Sequence, residues 1–270
     1  MRALFLLFLI TSLTACTSEP TVDDKQSVEE EVVDPALEWI DGMLEAMGGL
    51  EQYQALEDVT YTYARQTADG LERLSEEIYH YPSEWSYGRY FESRNPANDQ
   101  ETGELTQYFA HDSTWVTFNG VLVDDPAQQQ RARFVRKTNF YWLNMFFKLR
   151  DPGLTYELGE ERELYGQTYQ TLSVSFEEGV GDAKDIYLLY LNTETKLVDY
   201  FLYTVMEFDH PDPSMMKIDY AEVGGLLWPV RRAAVSSNWE GELPEDADFS
   251  LARVIEGLQV NTGAGKGLFE

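Results

Sequence analysis

The residue with the clearest chemistry is Cys16. It is the one cysteine in 270 residues, and it closes the run Leu13-Thr14-Ala15-Cys16. Ahead of it lie Arg2 and an apolar stretch from Leu4 to Leu13, the layout of a secretion signal. The stretch is too short to stay in a bilayer as a spanning helix. Small residues before a cysteine are what a lipoprotein-processing peptidase accepts. The thiol takes a diacylglyceryl group, and cleavage leaves Cys16 as a lipidated N-terminus, so residues 1–15 are expected to be removed. An acylated cysteine is neither a nucleophile nor a metal ligand. Two or three acyl chains hold a membrane durably, since each buried methylene contributes about 0.8 kcal/mol.

The other candidates are weaker. Asn261-Thr262-Gly263-Ala264-Gly265-Lys266-Gly267 has glycines and a lysine like a phosphate loop. It lacks the first glycine at the needed spacing and has Gly267 in place of Ser or Thr, so 261–270 is expected to be a disordered tail. His80, His111 and His210 are isolated in sequence, and Asp209-His210-Pro211-Asp212 reads first as a solvated turn. No metal and no cofactor are expected. No zinc-binding helix or nucleophile elbow occurs, and among 48 acidic residues a close carboxylate pair arises by chance. The expectation is a protein that is not an enzyme.

Charge narrows the partners. With 48 acidic and 20 basic residues the net charge is −28, which argues against nucleic acid and against flat contact with anionic lipid. The basic residues cluster only at Arg131, Arg133, Arg136 and Lys137. Those arginines are either a solvated face paired with nearby acids or a contact for an anionic headgroup. Thr17 to Val33 has no aromatic residue and many acids, so 16–33 is expected to be an acylated, flexible tether. Thr17, rather than aspartate, follows the cysteine, which favours the outer membrane. A monomer is expected.

The elements that must position any site come next. Asp34-Pro35 starts a helix with Leu37, Ile40, Leu44 and Met47 on one face, and Gly48-Gly49 stops it. From Val59 the period becomes two, with turns at Asp69-Gly70 and Asn119-Gly120 and a polar loop from Asn95 to Glu104. Asp125-Pro126 starts a second helix, with Phe134, Thr138, Tyr141, Met145 and Leu149 expected on its buried face. Strands resume at Thr155. The total is about 11 to 12 antiparallel strands and two helices, one of them inserted.

A sheet this long must curl, close or be covered. The expected architecture over residues 34–260 is mainly β: one curled antiparallel sheet, a half-open barrel, covered by the two helices. An apolar groove between helices and sheet would suit an acyl chain or a lipoprotein tail. Tyr61, Tyr63, Trp85, Tyr141, Trp142, Met145 and Phe146 either line that groove or are plain core.

Three local motifs support the same picture. They are Met47-Gly48-Gly49-Leu50, the hairpin from Tyr190 to Val198, and Val223-Gly224-Gly225-Leu226-Leu227-Trp228-Pro229. In these the chain resembles the lipoprotein-localisation-factor superfamily, and over roughly residues 35 to 260 an uncharacterised family of bacteroidete-type lipoproteins. The resemblance implies a lidded half-barrel that binds acyl chains, and a cell-envelope address. It implies no catalytic residue. The alternative is a structural or interaction lipoprotein with a packed interior and no ligand.

Overall fold

The computed structural model describes residues 34–177, 186–205, 210–265 and 267–269. Cys16, the signal, the tether and Asp209 lie outside them. Among the described residues three helices occur: α1 (Pro35–Ala46), α2 (Leu50–Gln54) and α3 (Pro126–Asn144). The strands are β1 (Asp58–Thr67), β2 (Gly70–His80), β3 (Trp85–Asn95), β4 (Asn98–Ala110), β5 (Ser113–Phe118) and β6 (Val121–Leu122). After α3 come β7 (Leu154–Leu164), β8 (Gln167–Phe176), β9 (Tyr187–Asn192) and β10 (Val198–Val205). The last three are β11 (His210–Val223), β12 (Leu226–Ser236) and β13 (Ala252–Val260). Short 3-10 turns lie at Tyr81–Ser83 and Phe147–Arg150.

All 13 strands form one antiparallel sheet in the order β6-β5-β4-β3-β2-β1-β13-β12-β11-β10-β9-β8-β7. It is open: its edges, β6 and β7, do not pair with each other. The chain leaves one edge at β6 and re-enters at the opposite edge, β7, by way of α3 and the Phe147–Arg150 turn. The apolar residues of α1, α3 and that turn pack on one face of the sheet, which curls around them.

The expected half-barrel is therefore present, with corrections of detail. Among the described residues the strands number 13, against the 11 to 12 expected. The polar loop from Asn95 to Glu104 is instead a hairpin, with Ser93 opposite Gly103 and Asn95 opposite Asn98. The described side chains from Glu92 to Glu104 are exposed or half-buried, so no alternation betrayed the strands. His111 lies in the turn after β4 rather than in a strand, with φ of 49°.

Two of the motifs meet. Leu227 N–H donates to Met47 O at 2.9 Å, and Gln52 Nε2 donates to Gly224 O at 2.6 Å. A Cβ on Gly48 would fall 2.2 Å from Gly225 O, and its φ is +106°, so only glycine lets α1 end against the β11–β12 turn. From the Tyr190–Val198 hairpin, Lys196 Nζ lies 3.9 Å from the centre of the Trp39 ring on α1. All three motifs thus fasten the first two helices.

The tail expected to be disordered is docked over its described residues. The Asp58 carboxylate accepts from Thr262 N–H (2.9 Å), Thr262 Oγ1 (2.7 Å) and Gly263 N–H (2.7 Å). Phe269 is buried with Tyr87 and Ala110, beside Trp85. Asp58 is itself buried and so needs those donors.

Candidate functional site

The main core lies between the helices and one face of the sheet. Ile40 and Met43 from α1, with Met47 that caps it, join Val59, Leu189, Phe201 and Trp228 from the strands. Phe140, Leu143, Met145, Phe146, Phe147 and Leu149, from α3 and the turn behind it, join the same cluster. The space in which a groove was expected is thus occupied by side chains.

The face of α3 differs from the expected one. Its buried residues are Ala132, Arg136, Phe140, Leu143 and Asn144, while Phe134 is exposed. Ala132, Arg136, Phe140, Leu143 and Phe147 follow helical steps of four, four, three and four. A charged residue in the middle hid that stripe.

Arg136 therefore does not belong to the solvated or headgroup-facing cluster expected for it. Its Nη1 lies 2.5 Å from Glu77 Oε2, and Nη2 donates to Glu77 Oε1 at 3.2 Å and to Tyr90 Oη at 2.6 Å. Ser75 Oγ (2.6 Å) and Tyr79 Oη (3.0 Å) donate to the same carboxylate. Burial, the largest single influence, would lower the guanidinium pKa, but Glu77, Tyr90 and Tyr79 together outweigh it and the net shift is upward. Arg133 pairs with Asp112 at 2.6 Å and covers the Phe109 ring at 4.9 Å, while Arg131 is exposed.

The aromatic candidates separate. Tyr61 is buried, its Oη 3.2 Å from Tyr79 Oη, and Tyr63 packs against the core beside it. Burial first, and then Glu77, pushes the Tyr61 hydroxyl well above its ordinary pKa. Met145 and Phe146 are wholly inside; Tyr141 and Trp142 are half-buried against the same cluster. Trp85 belongs to the other face of the sheet, between His80 (5.5 Å), His111 (4.1 Å) and Phe269 (5.8 Å). The structure brings Tyr61, Tyr63, Tyr141, Trp142, Met145 and Phe146 into one cluster and leaves Trp85 out.

An opening onto this core lies where α2, the Tyr81–Ser83 turn and the Phe147–Arg150 turn converge. It is a cleft of about 260 Å³. Tyr53 stacks on Phe147 at 4.3 Å, and Tyr81 meets Tyr53 and Phe140 edge-on at 5.5 and 5.6 Å. Tyr81 Oη donates to Asn144 Oδ1 at 2.5 Å, so its polar end is satisfied inside. The rim is ionic, and its charges are paired with one another. Lys148 Nζ donates to Glu84 (2.7 Å) and Asp151 (3.0 Å), and Arg150 pairs with Asp41 at 2.9 Å. Tyr53 and Tyr81 were not foreseen from the sequence: Tyr53 sits in the five-residue helix α2 and Tyr81 in a 3-10 turn, both too short to show periodicity.

No family model matches the sequence, and no curated protein matches it. Solved structures do match. A DUF1329 family protein from Desulfovibrio piger is 12% identical, covering 88% of this chain and 98% of that one, with a TM-score of 0.49. A LolA superfamily protein from Nitrosomonas europaea is 10% identical, covering 80% and 91%, with a TM-score of 0.45. The Mycobacterium tuberculosis lipoprotein LppX is 8% identical, covering 63% and 87%, with a TM-score of 0.26. These neighbours include the lipoprotein-localisation superfamily that the three motifs resemble. None is near enough to assign a role to a residue here.

Among the described residues no helix is long and apolar enough to cross a membrane. Among them, too, no three His, Cys, Asp or Glu side chains converge on one point.

Proposed function

We propose that this chain is a lipid-anchored protein of the bacterial cell envelope, attached to the outer membrane through Cys16, that binds an apolar ligand without catalysis. The ligand is the end of an acyl chain or an acylated lipoprotein tail. One observation carries the reading: the cleft of about 260 Å³ whose wall, Tyr53, Tyr81, Phe140 and Phe147, continues into the aromatic core. Its size lies just below the usual range of about 300 to 1,000 Å³ for small-molecule pockets, which suits a chain end rather than a whole lipid. The rim charges pair with one another, so the apolar part of the ligand is what is recognised and its headgroup stays outside. Tyr61, Tyr63, Tyr141, Trp142, Met145 and Phe146 would form the deeper lining when the segment after α3 shifts.

Titration of a fluorescent fatty acid and a fluorescent monoacylglycerol tests this. Both should bind saturably and with similar affinity, because charge at the head is not read. Tyr53→Asp, which puts a carboxylate into the cleft, should abolish both while circular dichroism stays unchanged. Binding that ignores Tyr53→Asp would contradict the reading.

The closely filled interior favours a second reading, a structural or interaction lipoprotein with no ligand. Absence of saturable uptake of either probe would decide for it.

A further inference from the structure

A second depression lies on the opposite face of the sheet. Its volume is about 500 Å³, and it runs across β7, β8 and β9 under the loop that joins β12 to β13. Leu188 and Ile186 supply an apolar floor, and Trp239 from the loop forms a wall. Glu157, Glu160, Arg162, Thr171 and Ser173 supply the polar lining.

The groove is built rather than incidental. Arg162 Nη1 donates to Trp239 O at 3.0 Å and to Tyr190 Oη at 3.1 Å, tying the loop to the strands. The loop is braced further by Glu242 N–H on Asn238 Oδ1 at 2.9 Å. On the β7 side a bulge lies between Leu158 and Glu161. There Thr171 Oγ1 donates to Glu160 O at 2.6 Å, and Gln170 Nε2 donates to Gly159 O at 2.7 Å. A Cβ on Gly159 would fall 2.3 Å from Thr171 Oγ1, so a larger residue would break this approach. Among the described residues, the Glu157 and Glu160 carboxylates and the Ser173 hydroxyl form no hydrogen bond or ion pair. Their bonding capacity is open to a ligand.

The lining decides the ligand class by exclusion. An anion would meet two free carboxylates. A cation would be drawn to the carboxylates but would meet the Arg162 guanidinium beside them, in an open groove with one aromatic wall rather than a cage. A purely apolar chain would strip water from the carboxylates without replacing it. A neutral, polyhydroxylated ring offers hydroxyl donors to the carboxylates and Ser173, and an apolar face to Trp239 and Leu188. We propose that this groove binds a neutral oligosaccharide, independently of the cleft beneath the helices.

The test is calorimetric titration of the full chain, held in detergent, with cellotetraose and with chitotetraose; tetralysine and tetraglutamate are run in parallel. At least one sugar should bind saturably. Glu157→Ala, a change at an exposed side chain that should leave thermal unfolding unmoved, should weaken it about tenfold or more, and so should Ser173→Ala combined with Trp239→Leu. The proposal is overturned if neither sugar binds at millimolar concentration, if either charged peptide binds instead, or if Glu157→Ala binds as well as the parent.

Discussion

The Arg136 guanidinium lies 2.5 Å from the Glu77 carboxylate, and both side chains are wholly closed to solvent. This pair fastens α3 to β2, across the face where the connection between the sheet edges must run. A buried pair gains little net stability over well-packed apolar residues, but removing one partner strands the other. Glu77→Met or Arg136→Met should each cost about 3 to 5 kcal/mol in denaturant unfolding. The double variant Glu77→Met with Arg136→Met should be less damaging than the sum of the two. Strict additivity would contradict coupling between them.

Gly88 makes room for that pair. A Cβ there would fall 2.1 Å from Arg136 Nη1. Gly88→Ala should therefore cost about 1 to 3 kcal/mol, the usual penalty of overpacking. In an Arg136→Met background the penalty should shrink, as paired unfolding curves would reveal.

The buried tyrosines make the fold sensitive to alkali. Burial, opposed by Arg136, pushes the Tyr90 hydroxyl from its ordinary 10.0 up to about 12. Burial raises Tyr79, Tyr81 and Tyr220 further still. A group whose pKa is higher folded than unfolded stabilises the fold fully below its unfolded value and loses that contribution as pH climbs through the folded one. Stability should thus be flat up to about pH 10 and then fall toward pH 12. Tyrosinate absorbance should rise in step with loss of the near-ultraviolet circular dichroism. A smooth tyrosine titration in an intact fold would contradict the burial.

The docked tail offers another check. Asp58→Ala leaves three donors of Thr262 and Gly263 without their acceptor. The tail should loosen, at a cost of about 1 to 3 kcal/mol. Phe269 should then leave Trp85, shifting tryptophan emission to longer wavelength. An unchanged spectrum would show that the tail is held by other contacts.

The sheet was largely legible because alternation, Asn-Gly turns and Asp-Pro helix starts are local signals. The buried face of α3 was not, since Arg136 reads as a surface residue and its stripe becomes visible only with Glu77 and Gly88 in place. Trp85 was assigned to the wrong face because residues on both sides of a strand can be aromatic here: Tyr79 faces the helices and Tyr87 the tail. The tail was misjudged because glycine-rich composition signals freedom, while its anchor, Asp58, is 204 residues away. The cleft was missed because it is assembled from one short helix and two 3-10 turns.

Native mass spectrometry of the unlipidated Cys16→Ser chain, purified without detergent and mixed with a saturated fatty acid, tests the ligand-binding account most directly. One acyl ligand per chain is predicted, and Tyr53→Asp should remove it. A chain that shows only its bare mass, with its interior closed at every ligand concentration, would contradict the account.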